Sequence, residues 1–197
     1  MFHDLQDLYQ LLRLFLPKLD KMRATYGMGE TFLGRYYSKI LSLPEKEEKM
    51  LKHWKNPQYQ PPGSPAGDFV GVLCQVLKSR TKTENTLTIN DVNNFLDDLS
   101  GSSNTEKHNI LTKMIRDATL KEQKWICAII LKDLKLGFGH EPFLKKLDKR
   151  ALDVYNSTSS LVEVCNYLKN PTDQKYASSF FQVKKFTLQF KIDLFRN

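Results

Sequence analysis

The 197-residue sequence has few of the features from which secreted or membrane-spanning chains are built. Its three cysteines, Cys74, Cys127 and Cys165, are odd in number and far apart, which disfavours a disulfide framework and predicts reduced, buried thiols. The richest apolar stretch, residues 125–136, is interrupted by charged side chains and is too short to span a bilayer. The first residues lack the basic-then-apolar order of a secretory signal. We therefore expect an intracellular protein with no signal peptide and no transmembrane segment.

Signatures of catalysis and metal binding are also missing from the sequence. The four histidines are scattered, and none stands at ligand spacing from a cysteine or a carboxylate. Neither a Gly-x-Ser-x-Gly nucleophile motif nor a phosphate loop ending in Gly-Lys-Ser/Thr is present. These absences predict no catalytic residue, no metal site and no cofactor for this chain.

Positive charge is in excess. The net charge is +8 and the pI is near 9.3, in a chain whose hydrophobic fraction of 41% is ordinary for a folded protein. Half of the excess lies between Lys121 and Arg150, where eight basic residues accompany four acids. Such a concentration favours a polyanionic partner, although a solvated lysine-rich surface would give the same count.

Apolar residues recur at helical spacing along most of the chain, so an all-α fold is predicted. Thr88 and Asp91 form a variant capping box, and the central pattern is apolar almost all round, as in a buried helix. We expect Gly137 and Gly139 to end that helix and Pro142 to lie in the first turn of the next. The length allows one domain or two small lobes. Helical patterns cover residues 8–16, 31–43, 69–77, 88–99, 110–118, 125–136, 142–147 and 160–168.

The end of the chain departs from this pattern. Between Phe186 and Leu194, apolar residues alternate strictly with polar ones, which is the periodicity of a strand. The predicted organisation is therefore a helical domain over residues 1–175 and a divergent tail over residues 176–197.

One segment combines several features of a phosphate-binding site. Lys132 and Lys135 are three residues apart at the end of the predicted buried helix, so we expect both to emerge on one exposed side. Gly137 and Gly139 would let the backbone approach a ligand, and the next helix would direct its N-terminus outward. The alternative is purely structural, with Gly137 as a helix cap and the lysines complementing the helix dipole.

Short strings of this sequence also occur together, in the same order, in a known family. They are residues 16–20, 24–27, 30–31, 43–44, 66–69, 87–89, 91–93, 122–126, 129–137 and 156–158, with Leu161, Val164, Cys165 and Leu168. In this order they resemble the N-terminal DNA-binding domain of ATP-dependent DNA ligases, and of the DNA ligase IV family in particular. The resemblance covers roughly residues 5–168 and implies a multi-helix fold that binds the minor groove beside a nick. It implies DNA-backbone contacts at Lys132, Lys135, Gly137 and Gly139, with Lys124 in the same matched stretch. One departure is His140-Glu141-Pro142, where the family has an acidic residue, Gln and Ser/Thr.

The resemblance also implies a partner and a setting. The expected role is sequence-independent binding of duplex DNA, at a nick, within a nuclear ligase of double-strand break repair by non-homologous end joining. Family members adenylate the lysine of a Lys-x-Asp-Gly motif with ATP and magnesium. Here Lys191-Ile192-Asp193-Leu194 lacks the glycine, so we expect no enzyme activity from this chain alone, no nucleotidyltransferase domain, and a truncated fragment of a ligase.

Two further expectations concern protein partners. Helices that precede this region in the family, and that bind the nuclease Artemis in vertebrates, have no counterpart here, so we expect no such contact. The alternative to DNA binding is a helical interaction module that uses exposed aromatic residues (Tyr36, Tyr37 and Tyr155) to bind partner helices.

Overall fold

The computed structural model describes residues 5–84, 87–137 and 139–169, which form ten α-helices and one short 3-10 helix, Pro57–Tyr59. The all-α prediction is confirmed, because these residues contain no strand beyond an isolated bridge between Lys82 and Thr119. The predicted strand-like tail, residues 176–197, lies outside the described residues. The helices are α1 (Leu5–Phe15), α2 (Glu30–Ile40), α3 (Glu45–Lys52), α4 (Phe69–Leu77), α5 (Ile89–Gly101), α6 (Asn104–Asp117), α7 (Leu120–Ile130), α8 (His140–Leu147), α9 (Ala151–Thr158) and α10 (Leu161–Lys169).

The helices pack into two compact units. Unit 1 comprises the described parts of Met1–Ala24 and Leu134–Asn197, and so joins α1 to α8, α9 and α10. Unit 2 is the continuous segment Thr25–Asp133 with α2 to α7. No helix in the described part of either unit is long and apolar enough to cross a membrane.

Helix α7 contributes seven buried residues to unit 2. This helix packs on α4, and α2 packs on both α3 and α6. Residues 126–130 of α7 are all buried, which confirms the prediction of a central buried helix. The fully buried Tyr37 of α2 reaches this core, and its hydroxyl shares a 3.3 Å hydrogen bond with the Sγ of Cys127. That bond satisfies a polar group that would otherwise be buried without a partner.

Three consecutive helices of unit 2 start with a capping box. Thr88, Ser103 and Thr119 accept hydrogen bonds from the third residue of α5, α6 and α7, and the acid at that residue bonds back to the cap. The hydrogen bond from the Thr88 hydroxyl lowers the pKa of Asp91, and that from Ser103 lowers the pKa of Glu106. The first box confirms the prediction, whereas the other two were not predicted.

Unit 1 is held by apolar packing and a buried ion pair. Helix α10 packs on α1 and α9, and α9 also packs on α8. The Nε of Arg13 lies 2.8 Å from Oδ2 of Asp20, and the Nε of Arg23 lies 3.9 Å from the same oxygen. Because all three side chains are buried, these contacts offset the cost of removing the charges from water. Nearby, the Tyr155 hydroxyl donates a 3.3 Å hydrogen bond to the carbonyl of Leu19.

The structure differs from the predicted helices in two ways. Helices α3 and α9 were not predicted, since each has only eight residues and buries just two or three of them. The central helix α7 also ends earlier than expected, at Ile130 rather than at Gly137. The second difference matters for the candidate site.

Candidate nucleic-acid interface

The C-terminus of α7 places Lys132 in an unusual backbone conformation. Asp133 N donates to the carbonyl of Ala128 at 2.9 Å, and Lys132 N donates to that of Ile129 at 3.0 Å. This pair of bonds is a Schellman motif, whose left-handed position usually holds glycine. Lys132 occupies that position with φ +55°. Lysine therefore ends this helix, and the expectation that Gly137 caps it was wrong.

Lys135 and Gly137 follow in an irregular segment that belongs to unit 1. Both are exposed, and both have positive φ, +48° for Lys135 and +75° for Gly137. The two lysines lie beyond the helix end, so helical spacing does not bring them to one side as expected. Lys132 belongs to unit 2, and its side chain is half-buried.

Gly139 is the N-cap of α8, and its backbone is extended, with φ −80° and ψ 174°. Any residue adopts this conformation, so the turn does not require glycine there. The prediction that Pro142 lies in the first turn of a helix is confirmed. Pro142 has no N–H, Phe143 N bonds to the Gly139 carbonyl, and Glu141 adds a negative charge. The N-terminus of α8 is therefore a weaker anion site than the sequence indicated.

Lys124 is exposed on α7, within unit 2. Its Nζ lies 5.7 Å from the ring centroid of Trp125, which is within the range of a cation–π interaction. Because the lysine is exposed, its positive charge remains accessible from solvent.

Burial makes the basic stretch from Lys121 to Arg150 more positive at the surface than its composition indicates. Two of its four acids are buried, Glu122 in the cap of α7 and Asp148 at the end of α8. The exposed acids are Asp133 and Glu141. Three of the basic residues belong to unit 2 and five to unit 1, so each unit carries part of the charge.

Two of the three tyrosines assigned to a protein-binding surface are not on the surface. Tyr37 is fully buried and Tyr155 is 9% exposed, so the expectation that they bind partner helices was wrong. Both lie on helices whose apolar side forms a core, which sequence periodicity alone did not distinguish from an exposed aromatic stripe.

Tyr36 instead lines an open groove between α2 and α6, here called the α2–α6 groove, with a volume of about 520 Å³. Its ring stacks on Phe32 at 4.4 Å between centroids and is tilted against His108 at 5.4 Å. Arg35 and Lys39 are exposed along the same groove. This aromatic and basic surface was not predicted beyond Tyr36 itself.

The sequence matches a family model described as DNA ligase N terminus over residues 1–148. The chain belongs to the DNA ligase N-terminus family. The match includes all five predicted DNA-binding residues and stops before Lys149 and Arg150.

Relatives of this ligase N-terminal chain include proteins named DNA ligase 4. The protein of Dictyostelium discoideum is 39% identical over 174 residues, which are 85% of this chain and 16% of that protein. That of Coprinopsis cinerea is 36% identical over 172 residues, 84% of this chain and 16% of its own length. The human protein is 32% identical over 170 residues, 83% of this chain and 18% of its own length. The chain thus spans less than a fifth of these relatives.

Proposed function

We propose that this chain binds duplex DNA without sequence preference, as the N-terminal part of a nuclear DNA ligase in double-strand break repair by non-homologous end joining. Lys124, Lys132 and Lys135 would bind backbone phosphates, and the backbone at Gly137 and Gly139 would approach them closely. A nicked duplex is the expected substrate. We assign the chain no catalytic residue, and we expect ATP and magnesium to act in other parts of a full-length ligase.

The observation that carries this proposal is the lysine in the left-handed position at the end of α7. A non-glycine residue there costs roughly 1–2 kcal/mol relative to its preferred conformation. Strained positions of this kind cluster at functional sites, because a residue that costs stability is kept where its side chain has a function. A positive charge beside a backbone turn suits a phosphate group. Because the chain belongs to the DNA ligase N-terminus family, DNA is the polyanion that we expect it to bind.

The test is the affinity for nicked and intact duplexes of one sequence, measured by fluorescence anisotropy across a salt series. We expect wild-type binding to weaken steeply with salt, because phosphate contacts release counterions. Charge reversal at two positions, K132E and K135E together, should weaken binding at least about tenfold and reduce the salt slope by about 0.9 for each lost contact.

A matched variant, K46E with K52E, makes the same change of net charge at two exposed positions on α3. It should bind nearly as the wild type does, so that loss in the first variant is assigned to the site and not to total charge. No binding by the wild type at low salt would refute DNA binding. Equal loss in both variants would refute the assigned residues.

A protein-binding role is the second candidate, and the α2–α6 groove is the observation in its favour. The exposed Arg35 and Lys39 beside a stacked aromatic pair suit an acidic peptide with an aromatic residue. A pull-down that survives nuclease treatment and is lost in the double variant R35E/K39E would favour this candidate over DNA binding.

A further inference from the structure

A second group of positive charges lies in unit 1, where α8 ends and α9 begins. Lys145 and Lys146 are in the last turn of α8, Lys149 is in the connecting turn, and Arg150 is the N-cap of α9. All four side chains are exposed, and together they are called the basic corner below. In the sequence, these four residues contribute to the excess of positive charge, but nothing in the sequence pattern indicated a binding site there.

The acid within this corner is turned inward. Asp148 is 5% exposed, and its Oδ1 accepts hydrogen bonds from the Tyr167 hydroxyl at 2.9 Å and from Arg150 N at 2.8 Å. The nearest exposed acid along α9 is Asp153, in its first turn. Four exposed positive charges are thus accompanied by a buried and hydrogen-bonded carboxylate, which leaves a positive surface.

Tyr167 also holds Arg150 in place. The Nε of Arg150 donates a 3.1 Å hydrogen bond to the Tyr167 hydroxyl, and its guanidinium carbon lies 5.3 Å from the centroid of that ring. The chain of bonds runs from Arg150 through Tyr167 to Asp148. A guanidinium ordered in this way loses less side-chain entropy when it binds an anion than a mobile one does.

The charges at the start of α9 are unfavourable for the fold itself. The N-terminus of a helix carries partial positive charge, so cations there destabilise it. Lys149 and Arg150 occupy that end of α9, whereas Lys145 and Lys146 lie at the favourable end of α8. An anion bound at the corner would reverse the unfavourable interaction.

We propose that the basic corner is a second phosphate-binding surface for duplex DNA, separate from the segment at Lys132 and Lys135. It rests on the proposed function and extends it, because it adds phosphate contacts in unit 1 where α8 ends and α9 begins, beyond the contact at Lys135. Each contact with phosphate adds about 0.9 to the salt slope, which corresponds to about fivefold in affinity at about 0.15 M salt.

The experiment compares wild type with the triple variant K145Q/K146Q/K149Q in the anisotropy assay with duplex DNA. We expect the salt slope to fall by about 0.9 for each lysine that contacts phosphate, and the affinity to fall at least about fivefold. Thermal unfolding should change little, because the charge removed beside α9 and the charges removed from the end of α8 act on stability in opposite directions. A damaged fold would instead lower both binding and stability.

The control is K46Q with K52Q, which removes two exposed lysines from α3 in unit 2. It should leave the salt slope within error of wild type. The corner is refuted if the triple variant binds as wild type does, or if the control loses as much affinity per charge. If K132E/K135E weakens DNA binding and K145Q/K146Q/K149Q does not, the basic corner is refuted and the proposed function is not. Absence of wild-type binding refutes the proposed function with it.

Discussion

At the scale of single residues, two helix ends in unit 2 place different side chains in the same strained position. Ser42 follows α2 with φ +47°, and Leu43 N donates to the carbonyl of Ser38 at 3.0 Å. Lys132 follows α7 with φ +55° and the equivalent bond from Asp133. The two turns have the same backbone geometry, but Ser42 is uncharged and Lys132 carries a positive charge. The pair therefore separates the energetic effect of the turn from the effect of the lysine.

Glycine at either position should stabilise the fold, but only the substitution of Lys132 should change the affinity for DNA. Both S42G and K132G relieve left-handed strain, and after the added entropy of the unfolded chain we expect each to raise the free energy of unfolding by roughly 0.5–1 kcal/mol. K132G should weaken DNA binding about fivefold, and S42G should not change it. Urea unfolding and anisotropy on the same samples measure both quantities. A K132G protein that binds DNA as tightly as S42G does would show that the lysine has no role in binding.

The sequence predicted which residues of this segment to examine but not how the backbone arranges them. The glycines at 137 and 139 were expected to form the turn, because glycine favours left-handed conformations. The helix ends seven residues before Gly137, at Ile130, and the left-handed conformation falls on Lys132. Local propensity does not reveal such a choice, since the position of a helix end depends on what its last turn packs against.

At the scale of elements, three capping boxes differ in burial. Ser103 and Glu106 are exposed at the start of α6, whereas Thr119 and Glu122 at the start of α7 are 4% and 0% exposed. Glu122 accepts bonds from the backbone and the hydroxyl of Thr119 at 2.7 Å and 2.9 Å, and from Leu87 N at 3.3 Å. A cap that also satisfies a buried carboxylate should contribute more to stability than an exposed one.

Alanine substitution at the caps should therefore give unequal losses. We expect S103A to lower the free energy of unfolding by about 1 kcal/mol. T119A should cost about 2 kcal/mol or more, because it removes a bond from a buried carboxylate. T112A is the matched control within α6, where the hydroxyl donates an intrahelical hydrogen bond to the His108 carbonyl and should contribute little. Equal losses for S103A and T119A in urea unfolding would show that burial does not strengthen this cap.

The starts of α6 and α7 could have been predicted from the sequence, although apolar periodicity alone did not indicate them. Ser103 and Thr119 stand three residues before Glu106 and Glu122, so the capping rule applied to them as it did to Thr88. By contrast, α3 carries a charged sequence with only Met50 and Leu51 buried. Its apolar signal is too short to indicate a helix, and packing on α2 and α4 supplies what local sequence does not.

At the scale of the whole molecule, the division into two units joins α1 to helices that begin more than a hundred residues later. Helical periodicity contains no information about partners so distant, which is why the all-α class was predictable and the grouping was not. Each unit nevertheless buries one thiol in its core, Cys127 in unit 2 and Cys165 in unit 1. All three cysteines are free, as expected, and the predicted burial is confirmed for Cys127 and Cys165, whereas Cys74 is only half-buried.

These two thiols should make the fold sensitive to alkaline pH. Burial raises the pKa of Cys127, and that of Cys165, from the ordinary 9.0 to about 12. Between these values the folded chain keeps protons that the unfolded chain releases, so the free energy of unfolding falls as pH rises, by about 1.4 kcal/mol per pH unit for each thiol. Below pH 9 the contribution is fully present. We expect the urea midpoint to be constant from pH 7 to about 8.5 and to drop by pH 10. The double variant C127A/C165A is less stable at neutral pH and should show a shallower fall with pH; what remains belongs to the other groups whose pKa burial raises, Cys74 and Tyr37. If its midpoint falls with pH as steeply as that of the wild type, the two buried thiols are not the cause.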